Sequence, residues 1–116
     1  MKRFYNFILL VVFGGFLYSC TYNEMVLPPG PVGPISFSSD VVPLFSKCTG
    51  CHGNAGGLDL KNDPYTHIMD GRVDMDNPEN SLIYTKPHPD GSHSAKYTDY
   101  DAQVVLLWIQ EGAENN

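Results

Sequence analysis

The chain is poor in cysteine: its 116 residues hold 3, at positions 20, 48 and 51. Two of them stand close together and the third lies far upstream, so a disulfide-stapled scaffold is excluded. Basic residues are also scarce. Lys and Arg number 7 against 13 Asp and Glu, for a formal net charge of −6. Nucleic acid, whose phosphates call for clustered cations, is therefore not an expected partner. There is no apolar run long enough for a bilayer span of about 20 residues. The longest, Phe4 to Tyr18, is shorter than that. There is no strand–helix–strand pattern and no internal repeat, and the length suits one domain rather than two.

What the N-terminus does have is the layout of an export signal. Met1-Lys2-Arg3 is basic, the apolar stretch follows, and Leu17-Tyr18-Ser19-Cys20 closes it. That tetrad resembles the lipobox of bacterial lipoproteins, with Tyr18 an unusual middle residue. The resemblance implies a signal peptide over 1–19, lipidation at Cys20, and a domain held to a membrane on its exported, periplasmic side. Loss of Lys2 and Arg3 with the leader removes two positive charges from −6 and leaves −8. A partner with a basic docking patch would meet that surface favourably. Residues 20–36 carry Pro28, Pro29, Pro31 and Pro34 with Gly30 and Gly33 between them. Proline at that density builds neither helix nor central strand, so this stretch reads as an extended linker.

Cys48-Thr49-Gly50-Cys51-His52 is the most informative segment. C-x-x-C-H is the attachment sequence of a c-type haem: each thiol can add to one vinyl group, and the adjacent histidine lies close enough to ligate the iron. A thioredoxin-like pair would want a βαβ neighbourhood, and a zinc site would want further cysteines; neither is present. Export fits the haem reading, because covalent haem attachment in bacteria takes place outside the cytoplasmic membrane.

The pattern around the motif predicts helices. Ser38-Ser39-Asp40 offers a cap, and Val41, Val42, Leu44, Phe45 and Cys48 follow at helical spacing, with Pro43 in the first turn. This helix is expected to run into the motif and end near Gly50 or Gly53. Leu58 and Leu60 suggest a short extended piece. Pro64 to Asp70, closed by Gly71, suggests a short helix, and Asn77-Pro78-Glu79 the start of another carrying Leu82, Ile83 and Tyr84. Thr98 and Asp101 have capping-box spacing before Val104, Val105, Leu107, Trp108 and Ile109, with Gly112 as the stop.

Together these segments resemble a class I cytochrome c domain, closest to the single-haem modules of bacterial lipoproteins. The resemblance rests on Phe37 to Phe45, Cys48 to Gly53, Asn80-Ser81-Leu82-Ile83-Tyr84, and Trp108-Ile109-Gln110-Glu111-Gly112-Ala113. It implies an all-α fold over 37–116 with long loops, the first and last helices crossing beside one covalent haem c. Val41 or Val42 and Phe45 would then meet Leu107 or Trp108. It implies covalent attachment at Cys48 and Cys51, His52 as the proximal iron ligand, and electron transfer to redox protein partners rather than enzymatic turnover. The commonest pattern takes the sixth ligand from a methionine before the last helix, and Pro87 to Tyr97 contains none. His93 is the first candidate there, with His88, Met75 and Met69 as alternatives. An open or labile sixth position would instead suit a haem-based sensor or gas-binding module. Tyr65, Tyr84, Tyr97 and Trp108 are candidates for the haem pocket, and His67 is expected on a surface helix.

Overall fold

A computed structural model describes residues 29–53 and 57–116. The leader, Cys20 and the first part of the linker lie outside the described residues. The described residues are helical and contain no strand. None of their helices is long and apolar enough to cross a membrane.

The chain begins its folded part at Ile35 rather than Phe37. Ile35 is buried, and its amide donates to the Glu111 carboxylate at 2.7 Å. The two residues before Phe37 thus belong to the body, because one apolar side chain and one amide find partners at the far end of the sequence. Ser36 then caps the first helical segment, its hydroxyl accepting from the Ser39 amide.

That first segment is not the regular helix expected. It opens as a wide turn over Phe37–Val41, in which the Val42 amide reaches back to the Phe37 carbonyl, and tightens to a 3-10 stretch over Val42–Lys47. Pro43 has no N–H, so the Ser39 carbonyl loses its α-helical donor and the ladder cannot run straight through. Successive turns carry the chain through the Cys-x-x-Cys-His motif: Cys48 and Thr49 donate to the Phe45 carbonyl, and Cys51 and His52 to the Cys48 carbonyl. Leu58 to Leu60 forms no strand; the Leu60 amide donates to the His52 carbonyl at 2.7 Å and the side chain is buried.

Helix α1 spans Pro64–Met69, with Pro64 in its first turn and the Asp63 carboxylate accepting from the Thr66 amide. The next expected helix is split. A 3-10 turn spans Pro78–Asn80, Ser81 is extended, and helix α2 covers Leu82–Thr85. The break has a cause in packing: Ser81 is buried, and its hydroxyl accepts from the Asp74 amide at 2.9 Å.

Helix α3, Asp99–Gln110, follows its sequence signals closely. The Thr98 hydroxyl accepts from the Asp101 amide at 3.1 Å, and the Asp101 carboxylate accepts from the Thr98 amide at 3.0 Å. Two otherwise unpaired amides are thereby satisfied, with Asp in the Glu position. At the far end the Ala113 amide donates to the Trp108 carbonyl and the Gly112 amide to the Ile109 carbonyl, with Gly112 at φ +108°. This is a glycine-dependent helix stop.

Its apolar face, Val104, Val105, Trp108 and Ile109, enters a core with Phe37, Val41, Phe45, Ile68 and Ile83. Phe37 stacks on Trp108 at 5.1 Å and meets Tyr65 edge-on at 5.2 Å. The first and last helical segments therefore pack together and present one end of that core to the motif.

Candidate cofactor site

His52 follows directly from the turns that end the first segment. Its Nδ1 is buried and has no hydrogen-bond partner among the described residues. A buried imidazole nitrogen without a partner costs about 1–3 kcal/mol. Beside it, Cys48 is half-buried and Cys51 exposed, and both thiols are free. Burial pushes the Cys48 thiol above its ordinary value; nearby Lys47 pulls it back in part and Cys51 adds to the rise.

His93 comes from the loop between α2 and α3. Its ring lies 5.8 Å from that of His52, centroid to centroid, with the planes inclined by 30°. The loop is fixed by backbone bonds: the His93 amide to the Lys86 carbonyl at 3.3 Å, and the Tyr97 amide to the Pro87 carbonyl at 2.7 Å. Gly91 is needed for that path, since a Cβ there would run into the Lys86 and Thr85 carbonyls. His93 Nδ1 lies 3.0 Å from the Ala95 carbonyl and 3.2 Å from its amide.

Both imidazoles line one cavity of about 180 Å3. Phe45, Leu58, Leu60, Leu82, Ile83 and Pro87 make it almost wholly apolar, and Cys48 and Tyr97 complete the wall beside the histidines. Burial, with Cys48 and Asp101 nearby, holds the Tyr97 hydroxyl protonated far above its ordinary range.

The other sequence candidates lie elsewhere. The His88 ring packs against Tyr84 at 5.1 Å, its Nδ1 accepts from the Asp90 amide, and neither residue lines the cavity. Met75 is exposed, while Met69 packs on the core without reaching the cavity. His67 is half-buried on α1, not fully at the surface. Of the four aromatic candidates only Tyr97 lines the cavity. Tyr65 and Trp108 stay with Phe37, donating to the Ala113 and Glu114 carbonyls. Their helical spacing places them on apolar faces, but neither lines the cavity. Two lining residues had no signal in the sequence: Arg72 and Lys86.

The haem implied by the family resemblance can be tested against this donor set. Among the described residues no three His, Cys, Asp or Glu side chains gather as a metal cage. An apolar cavity with two imidazoles and the free Cys48 thiol on its wall agrees with a haem. No family model, curated protein or solved structure matches this chain.

Proposed function

We propose that the chain is a monohaem c-type cytochrome domain that carries electrons outside the cytoplasm, tethered to a bacterial membrane through a lipid on Cys20. The observation that supports it best is the convergence of His52 and His93 on one apolar cavity beside Cys48. A covalently bound haem supplies a one-electron ferric–ferrous couple.

The chain's own residues would do the rest. Cys48 and Cys51 hold the group by thioether bonds. His52 and His93 would ligate its iron. Fixed ligands on both sides limit rearrangement between oxidation states and leave no position for substrate, which is the requirement of a carrier. A second imidazole in place of a thioether favours the ferric state and a lower potential. Phe45, Leu58, Leu60 and Ile83 exclude water from the couple. The exposed acidic residues suit a partner with a basic docking patch.

The deciding experiment is the absorption spectrum of the purified protein, oxidised and reduced, with and without carbon monoxide. A six-coordinate low-spin haem indifferent to carbon monoxide is expected. A five-coordinate or CO-binding reduced haem would instead favour a sensor or gas-binding module, and absence of haem would end the proposal.

A further inference from the structure

Pro31, Pro34 and Ile35 line one groove with Leu44 of the first helical segment and Tyr100 and Val104 of α3. The sequence marks 20–36 as an extended linker, yet its last residues lie against the body. At one end Ile35 is buried, and its amide donates to the Glu111 carboxylate. At the other, a Cβ on Gly30 would lie 2.9 Å from Gln103 Oε1, so the backbone there runs against α3. Pro31 beside it is half-buried, while Val32 and Pro34 stay exposed. The two spans match. Gly30 to Ile35 is ~15 Å of extended, proline-rich chain, and Gln103 to Glu111 is ~12 Å of helix.

The root of this segment is fixed from the far end of the chain. The Phe37 amide donates to the Asn116 side-chain carbonyl at 2.7 Å, and the Ser38 amide to the Asn116 main-chain carbonyl at 2.9 Å. Proline has its φ set in advance, so Pro31 and Pro34 lose little backbone freedom when the segment lies down. The groove and the histidine cavity have no lining residue in common. Leu44 turns to the groove and its neighbour Phe45 to the cavity, since successive residues of a 3-10 helix point about 120° apart.

We infer that residues 30–35 form a strap seated along α3, so that the tether to the membrane begins at Pro29 and leaves the domain on a wall apart from the cavity. The consequence for the tether rests on the lipid reading of Cys20 above. At no more than about 3.6 Å per residue, the chain from Cys20 to Gly30 spans up to ~36 Å, against ~60 Å from Cys20 to Phe37 with the whole linker free. The strap thus holds the domain nearer to the bilayer and keeps this part of the chain off the cavity wall.

The test is a nuclear magnetic resonance measurement on the full chain in detergent micelles. Contacts between the Gly30 α-protons and the Gln103 side chain are expected, with order parameters at Gly30, Val32 and Gly33 near the value of about 0.85 found in rigid backbone. Absence of those contacts, or order parameters below about 0.6 at those amides, would overturn the strap and leave the cytochrome reading standing. The readout needs neither haem nor lipid. A mature chain whose mass shows no acyl group on Cys20 would overturn the consequence for reach, and the lipid tether of the proposed function with it.

Discussion

The rings of His52 and His93 lie 5.8 Å apart across one cavity, although one residue ends the first helical segment and the other sits in the loop before the last helix. The pairing is built by the backbone on both sides. Turns from the Phe45 and Cys48 carbonyls deliver His52, and bonds to the Lys86 and Pro87 carbonyls shape the loop that delivers His93. With haem bound as proposed, His93→Ala is expected to leave a five-coordinate, CO-binding reduced haem, whereas His88→Ala leaves the spectrum unchanged. A His93→Ala spectrum identical to the parent's would place the sixth ligand elsewhere.

Gly91→Ala tests the same loop without touching a ligand. An added Cβ would meet the backbone carbonyls of Lys86 and Thr85, and a backbone atom cannot swing aside as a side-chain tip does. The loop must shift, and His93 with it. Partial carbon monoxide binding is expected from a protein that still folds. Full retention of a low-spin spectrum together with an unchanged melting temperature would show that the loop tolerates the methyl.

Thr98→Ala removes one half of the reciprocal cap on α3. Loss of such a cap costs about 1 kcal/mol, or roughly 4–8 °C in melting temperature for a domain of this size. Neither Thr98 nor Asp101 lines the cavity, so the haem spectrum is expected to stay as it was. A melting point within a degree of the parent would mean that water satisfies the freed amide equally well.

Trp108→Ala separates core from pocket. Trp108 is buried against Phe37 and Tyr65, not on the cavity wall. A loss of about 3–5 kcal/mol is expected from the cavity left behind. That loss should appear in denaturant midpoints, with little change in potential for the fraction that folds. A large shift in potential at unchanged stability would place Trp108 at the haem instead.

Helix α3 and the Cys-x-x-Cys-His motif were legible in the sequence because their signals are local. A threonine and an aspartate three residues apart cap a helix wherever it packs, and two cysteines with a histidine carry their chemistry in one turn. The first segment was legible in place and not in form, since the cost of Pro43 depends on whether the backbone can widen around it. Arg72 and Lys86 left no trace, because they reach the cavity through tertiary contacts, among them the Ile83 amide on the Arg72 carbonyl and the Arg72 side chain on the Gly57 carbonyl. Helical spacing likewise marks Trp108 as inward-facing, yet says nothing of which side of the core the cavity occupies.

The two thiols are expected to differ in reactivity before any haem is attached. Cys51 is exposed, whereas Cys48 is half-buried with its thiol pushed up by burial. The nucleophile in alkylation is the thiolate, so the buried thiol is disfavoured twice, by access and by charge state. The sign for stability follows from the same shift. A neutral Cys48 thiol is at home in the folded chain, so its contribution is intact below the ordinary thiol pKa. It is lost as pH rises from there through the raised folded value. Haem-free protein treated with a limiting alkylating agent near pH 8 should therefore carry the label first on Cys51, located by peptide mass. The Cys48 rate should keep climbing with pH after the unfolded chain's rate has levelled off. Equal labelling of both cysteines at every pH would mean that Cys48 is as open as its neighbour, and that attachment of haem has no preferred order set by the fold.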